Sequence, residues 1–227
     1  MNPIISAQHL SKQYRVHRGR PDSLKEAVVR RKKNRSSSEF WALKEVSLDI
    51  KEGSFFGLIG HNGSGKTTLL KLMAGIHNPT SGQLKVNGRV SALLELGSGF
   101  HPELSGRENI YLNGAILGLT RREMDLAVDE IIEFSDIGDF IDAPVKILSS
   151  GMYVRLGFAV AVHVAPEILL IDEVIAVGDE AFQRKCLEHL YELRRAGTTI
   201  VLVSHSLPLV EGLCDEVGWL DHGALMQ

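Results

Sequence analysis

Eight consecutive residues, Gly60-His61-Asn62-Gly63-Ser64-Gly65-Lys66-Thr67, fit the pattern G-x-x-x-x-G-K-[ST]. Their context matters as much as their letters. Phe55–Ile59 ahead of them is a short continuous apolar run that reads as a buried strand. Thr67–Ala74 behind them has apolar residues at helical spacing. Glycines let a backbone curl until successive N–H groups converge on one point, and a helix start adds partial positive charge there. A strand, such a loop and a helix together make an anion cradle suited to phosphate groups. Lys66 is placed to reach the outer phosphates and the Thr67 hydroxyl to bind Mg²⁺. Gly60, Asn62, Gly63, Ser64, Gly65, Lys66, Thr67 and the following Thr68 are the expected binding residues.

The rest of the pattern is that of an α/β chain. Residues 4–15 alternate roughly between apolar and polar, which predicts a first strand, and Trp41–Ile50 predicts another. Gln83–Val86 and Arg89–Leu94 read as strands around the Asn87-Gly88 turn. From about 97 to 148 the composition becomes helical. Thr120-Arg121-Arg122-Glu123 is a capping-box pattern, opening a helix to about Phe134 with Leu126, Ala127 and Ile131 expected on one face. A long helix is predicted over Gly151–Val164, ending before Pro166. Ile168–Ile171 and Thr199–Val203 are apolar throughout, as strands buried on both faces of a parallel sheet are. The expected organisation is a single domain over 1–227. Its core is about 1–96 and 159–227, its helical part about 97–158, and 16–39 is a basic insert. No internal repeat is visible.

Ile168–Ile171 runs into Asp172-Glu173. Ligands of open α/β sheets bind at the carboxyl ends of strands, so this acidic pair is expected beside the phosphate loop. Asp172 would hold Mg²⁺, directly or through water, and Glu173 would orient and deprotonate an attacking water. An Asp-Glu pair at a strand end is commonly a solvated turn; its company with the loop favours ATP hydrolysis.

Bulk composition excludes several alternatives. The chain has 25 basic and 28 acidic side chains, a net −3, which argues against nonspecific nucleic-acid binding by the whole domain. Cys186 and Cys214 lack metal-ligand spacing and are expected to be reduced. No apolar stretch approaches the roughly 20 residues of a membrane span, and Met1–Ile5 lacks the pattern of a secretory signal. A cytosolic chain is expected, any membrane role coming through a partner or a surface contact.

Leu148-Ser149-Ser150-Gly151-Met152 stands before a helix, about twenty residues ahead of the acidic pair. It resembles the Leu-Ser-Gly-Gly-Gln signature of the ATP-binding cassette (ABC) ATPases. The resemblance extends over almost the whole chain, through Asp179 in an aspartate loop to His205 after the last apolar strand. It implies a P-loop fold with a RecA-like core, an N-terminal antiparallel β part and a helical subdomain. It also implies ATP and Mg²⁺ as cofactors, and two copies packed head to tail, each ATP lying between one copy's phosphate loop and the other's signature. Ser149 and the Gly151 backbone, at a helix start, would form that second anion site. His205 would contact the γ-phosphate, and Tyr14 matches the aromatic that stacks on adenine, with Phe40 and Trp41 as competing aromatics.

This sequence departs from the general family pattern at Ser150, Met152 and Ala176-Val177-Gly178-Asp179. It has no glutamine in Leu93–Glu103, where Glu95 is the nearest polar candidate. With Leu94–Leu104, Gly106–Ile110 and Tyr153–Leu156, these features resemble the ATPases of polysaccharide exporters. That subgroup moves lipid-linked O-antigen, teichoic acid or capsule chains across the bacterial inner membrane. The resemblance implies a permease partner, contacted through about Glu95–Asn109, and a location at the cytoplasmic face of that membrane. The other classes open to the chain are a soluble ABC ATPase acting on DNA or ribosomes and a regulatory nucleotide-binding module without turnover. The basic run in 16–39 has two readings. It either meets lipid headgroups or a lipid-linked pyrophosphate, or it is a solvated charge run. Pro21-Asp22-Ser23 would open a short helix over 24–29.

Overall fold

The computed structural model describes residues 3–17, 37–94, 97, 99–173 and 178–226. The helix expected at 24–29, most of the basic insert, Glu95 and residues 174–177 lie outside them. Among the described residues the chain forms two sheets. Strands β1 (Ile5–His17), β2 (Ser37–Ile50) and β4 (Ser81–Val86) make an antiparallel sheet in the order β2-β1-β4. Both β1 and β2 run further than the residue pattern predicts, staying paired out to His17 opposite Ser37.

The larger sheet has the order β5-β6-β7-β3-β8-β9. It is built from β3 (Phe55–Ile59), β5 (Val90–Leu93), β6 (Ile168–Asp172), β7 (Thr199–Val203), β8 (Glu216–Asp221) and β9 (Ala224–Met226). Every pairing is parallel except the closing β8–β9 hairpin. The continuous apolar runs are explained by its two faces. Leu169, Ile171, Ile200 and Leu202 join a core with the helices on one side. Ile168, Leu170, Val201 and Val203 join a second core on the other. That second core holds α1 (Lys66–Met73) and the inner face of the antiparallel sheet, with Leu69, Leu70, Leu10, Leu43 and Ile50 all fully buried. The helix after the phosphate loop is thus clamped between two sheets, which fixes the loop at its N-terminus.

The helical region holds α2 (Gly106–Ile116), α3 (Arg121–Ser135) and α4 (Ser150–His163). The predicted capping box forms: the Thr120 hydroxyl accepts from the Glu123 N–H at 3.3 Å and Glu123 accepts from the Thr120 N–H at 2.7 Å. Ser105 and Glu108 make the same box at α2. On α3 one expectation fails. Met124, Val128, Ile131 and Phe134 are buried, whereas Leu126 is 77% exposed. At 100° per residue, Leu126 lies on the side opposite Met124 and Val128. Helix α5 (Glu180–Arg195) follows β6, and a short α6 (Leu207–Leu213) follows β7. Phe134 joins α3 to α4 and α5, its ring 6.2 Å from Phe158 and 5.8 Å from Phe182.

Candidate active site

The loop between β3 and α1 is tied down by contacts that need its glycines. Gly65 sits at φ 111, and a methyl group there would come 2.5 Å from the Ala42 carbonyl oxygen. A methyl at Gly60 would run into the Leu220 carbonyl. Gly63, at φ 81, faces open space. The buried Lys66 ammonium curls over the loop and donates to the carbonyls of Gly60 at 2.8 Å and His61 at 3.1 Å. The Ser64 hydroxyl is fully buried and finds no hydrogen-bond partner among the described residues.

A hollow of about 240 Å³ opens over this loop. Its wall brings together Tyr14, Asn62, Gly63, Gly65, Lys66, Thr67, Thr68 and Glu173. Residues far apart in sequence therefore meet where the sequence expects a nucleotide. Phe40 and Ala42 complete the wall from β2. Tyr14 is met edge-on by His77, with ring centroids 5.9 Å apart, and Lys12 Nζ stands 5.3 Å from its ring centre.

Glu173 has left-handed backbone geometry at φ 58, and its N–H donates to the Val203 carbonyl at 3.0 Å. That kink at the end of β6 brings its carboxylate to His205, Oε1 to Nε2 at 2.5 Å, with both side chains about half exposed. The two expected catalytic groups thus share a contact across neighbouring strand ends. Asp172 is half-buried and pairs in register with Val203. It is not among the residues lining the hollow, whereas Thr67 is.

Ser149 caps α4, its hydroxyl accepting from the Met152 N–H at 3.2 Å, and Gly151 is exposed. Neither lines the hollow. Two ties that the sequence did not reveal reach out from α4. Arg155 pairs with Asp179 at 2.8 Å and Asp136 at 3.1 Å, its guanidinium stacked over Phe182. Asp179 also caps α5, accepting from the Phe182 N–H at 2.9 Å. The Tyr153 hydroxyl donates to the Gly97 carbonyl at 2.8 Å. Only tertiary packing brings these residues together; their separation hides it from the sequence.

A parallel sheet with this loop at the end of β3 and an acidic pair at the end of β6 defines a P-loop nucleotide hydrolase. Residues 43–176 match the family described as ABC transporter. The chain is 44% identical to the O-antigen export system ATP-binding protein RfbB of Klebsiella pneumoniae, over 100% of this chain and 94% of that one. It is 54% identical to the protein of the same name from Myxococcus xanthus over 92% of its own length, and spans 49% of that longer protein. A teichoic acids export ATP-binding protein, TagH, of Levilactobacillus brevis is 44% identical over 98% of this chain and 61% of that one. Among solved structures, a dimeric ATP-binding cassette bound to ADP and Pi in a post-hydrolysis state superposes with a TM-score of 0.79. It is 21% identical and covers 98% of this chain and 97% of the other. The chain belongs to the ABC transporter family and is an ATP-binding ATPase of it.

Proposed function

We propose that this chain is the ATP-hydrolysing subunit of an exporter that moves lipid-linked polysaccharide across a bacterial inner membrane. The observation that carries the export reading is the 44% identity, across nearly the full length of both chains, with an O-antigen export system ATP-binding protein. The intact hollow supports the chemistry.

ATP would lie on the phosphate loop, with adenine against Tyr14 and the phosphates on the backbone N–H groups of 60–67 and on Lys66. The donor set fits Mg²⁺: Thr67 and Asp172 offer a hydroxyl and a carboxylate, both hard oxygen ligands. The close approaches at Gly60 and Gly65 leave the cradle open only to residues without side chains there. Bound Mg²⁺ would neutralise charge on the phosphates. Glu173 would hold and deprotonate the attacking water, and His205, already against Glu173, would orient both toward the γ-phosphate.

Ser149 and Gly151 lie outside their own hollow, which supports a second copy's ATP as the thing they bind. Two copies would close head to tail on ATP and open after hydrolysis. A membrane permease would follow that movement, as a partner of the homodimer; among the described residues no helix is long and apolar enough to cross a membrane. The chain would then work at the cytoplasmic face of the membrane, touching the polysaccharide only indirectly.

The test is to purify the tagged protein from its native membrane and assay its ATPase activity. A co-purifying multi-span protein that raises turnover, with lipid-linked glycan accumulating inside cells that lack the ATPase, is expected. A soluble partner only, with unchanged glycan export in the deletion strain, would overturn the export reading and leave the ATPase chemistry standing.

A further inference from the structure

The tip of the β8–β9 hairpin meets the outer side of the phosphate loop. Asp221 Oδ1 lies 3.1 Å from His61 Nε2 and 3.9 Å from His222 Nε2. One ligand-capable atom from each of the three residues falls within 4.8 Å of the others. The imidazole centroids are 4.6 Å apart. The hairpin is anchored by backbone bonds: the Gly223 N–H donates to the Ser64 carbonyl at 2.9 Å, and the Gly223 carbonyl accepts from the Lys44 N–H at 2.7 Å. His222 is held at φ 44 on this turn. The three side chains therefore converge from a fixed scaffold.

The hydrogen bonding of His61 points to a cation. Its Nδ1 lies 2.7 Å from the Asn62 carbonyl oxygen, which can only accept, so Nδ1 carries the hydrogen. Nε2 then faces the Asp221 carboxylate, which also only accepts. In the neutral imidazole that leaves Nε2 as the acceptor, the atom able to ligate a metal ion, with the Asp221 carboxylate 3.1 Å away as a second ligand. Histidines that ligate metals commonly donate their other N–H to a backbone carbonyl in this way.

The distances are compatible with an ion. Tetrahedral zinc with bonds near 2.0–2.2 Å sets its ligand atoms about 3.3 Å apart. The His61–Asp221 separation already matches, and the His222 side chain, 79% exposed and 3.9 Å from Asp221, would turn inward to complete the set. Two imidazoles and one carboxylate suit zinc and its neighbours, whereas Mg²⁺ takes oxygen ligands. None of the three residues lines the nucleotide hollow.

We propose that His61, Asp221 and His222 form a site for a divalent transition-metal ion of the zinc class, which ties the β8–β9 hairpin to the phosphate loop. It is separate from the Mg²⁺ position at Thr67 and Asp172 and does not depend on what the ATPase drives. The test is equilibrium dialysis of the whole chain against Zn²⁺, without nucleotide and with excess Mg²⁺, followed by metal analysis. One zinc per chain is expected. Asp221→Asn and His222→Asn should each weaken binding by about ten-fold or more, and His9→Asn, a control away from the cluster, should not. Cobalt substitution should give visible absorption in the native protein that both variants lose. Absence of stoichiometric zinc overturns the proposal. So does binding that neither variant weakens.

Discussion

At the scale of single residues, the site depends on two atoms' worth of space and one contact. Gly65 holds a positive φ where an added methyl would meet the Ala42 carbonyl. Gly65→Ala is expected to cost roughly 1–3 kcal/mol through overpacking and to abolish ATP binding. Thermal melts with and without Mg–ATP would check this: a variant that still gains stability from ATP would show that the loop tolerates the methyl. Glu173 and His205 meet at 2.5 Å. Glu173→Gln keeps the shape but removes the base, so turnover should fall by about 10²–10⁴-fold while ATP binding survives. Unchanged turnover in a phosphate-release assay would remove Glu173 from its role. The loop, Asp172, Glu173 and His205 are legible in the sequence because each sits in a short contiguous motif or at a strand end. Phe40 is named there as a rival to Tyr14, but Ala42 as a wall of the hollow, and the Arg155–Asp179 pair, are not legible. Those contacts exist only after β2 folds over the loop and α4 packs on α5.

At the scale of elements, helix ends carry much of the order around the site. Asp179 caps α5 and receives Arg155 from α4. Asp179→Ala should cost about 1 kcal/mol for the cap alone, a fall of roughly 2–4 °C in Tm for a chain of this size. An unchanged Tm would mean that the cap is replaced by water. Between α4 and α5, His163 stacks on His189 with centroids 4.5 Å apart. Burial, against the pull of its bond to the Ala159 carbonyl, holds the His163 imidazole below its ordinary 6.5. The unfolded chain therefore takes up that proton first. Stability is full above pH 6.5 and falls as the pH drops through the lower folded value. His163→Phe should flatten this decline, as denaturant midpoints above and below pH 6.5 would show; an equally steep decline would assign it to other groups. Elements buried on both faces, β3, β6 and β7, were readable as apolar runs. The β8 strand was not, because Val217 and Trp219 point outward while Gly218 and Leu220 point in, so apolar residues occupy both faces and hide the alternation. Leu126 misleads for a related reason: leucine is common on exposed helix faces, and only Met124, Val128 and Ile131 together mark the buried side.

At the scale of the whole molecule, the proposed pairing of two copies turns on one feature of the site. The hollow gathers Tyr14, the phosphate loop and Glu173, yet Ser149 and Gly151 are outside it. A bulky cation at the signature, Ser149→Arg, should therefore leave ATP binding intact and abolish turnover, because it would block the neighbour's nucleotide and not its own. Loss of ATP binding in that variant would place the signature at its own site. ATP is expected to close two of these chains head to tail. Light scattering of Glu173→Gln with Mg–ATP measures it most directly, since this variant binds nucleotide and cannot discharge it. The mass should double from 25.0 kDa when ATP is added and return to that of the single chain when ATP is removed; a chain that stays monomeric at saturating ATP would contradict the account.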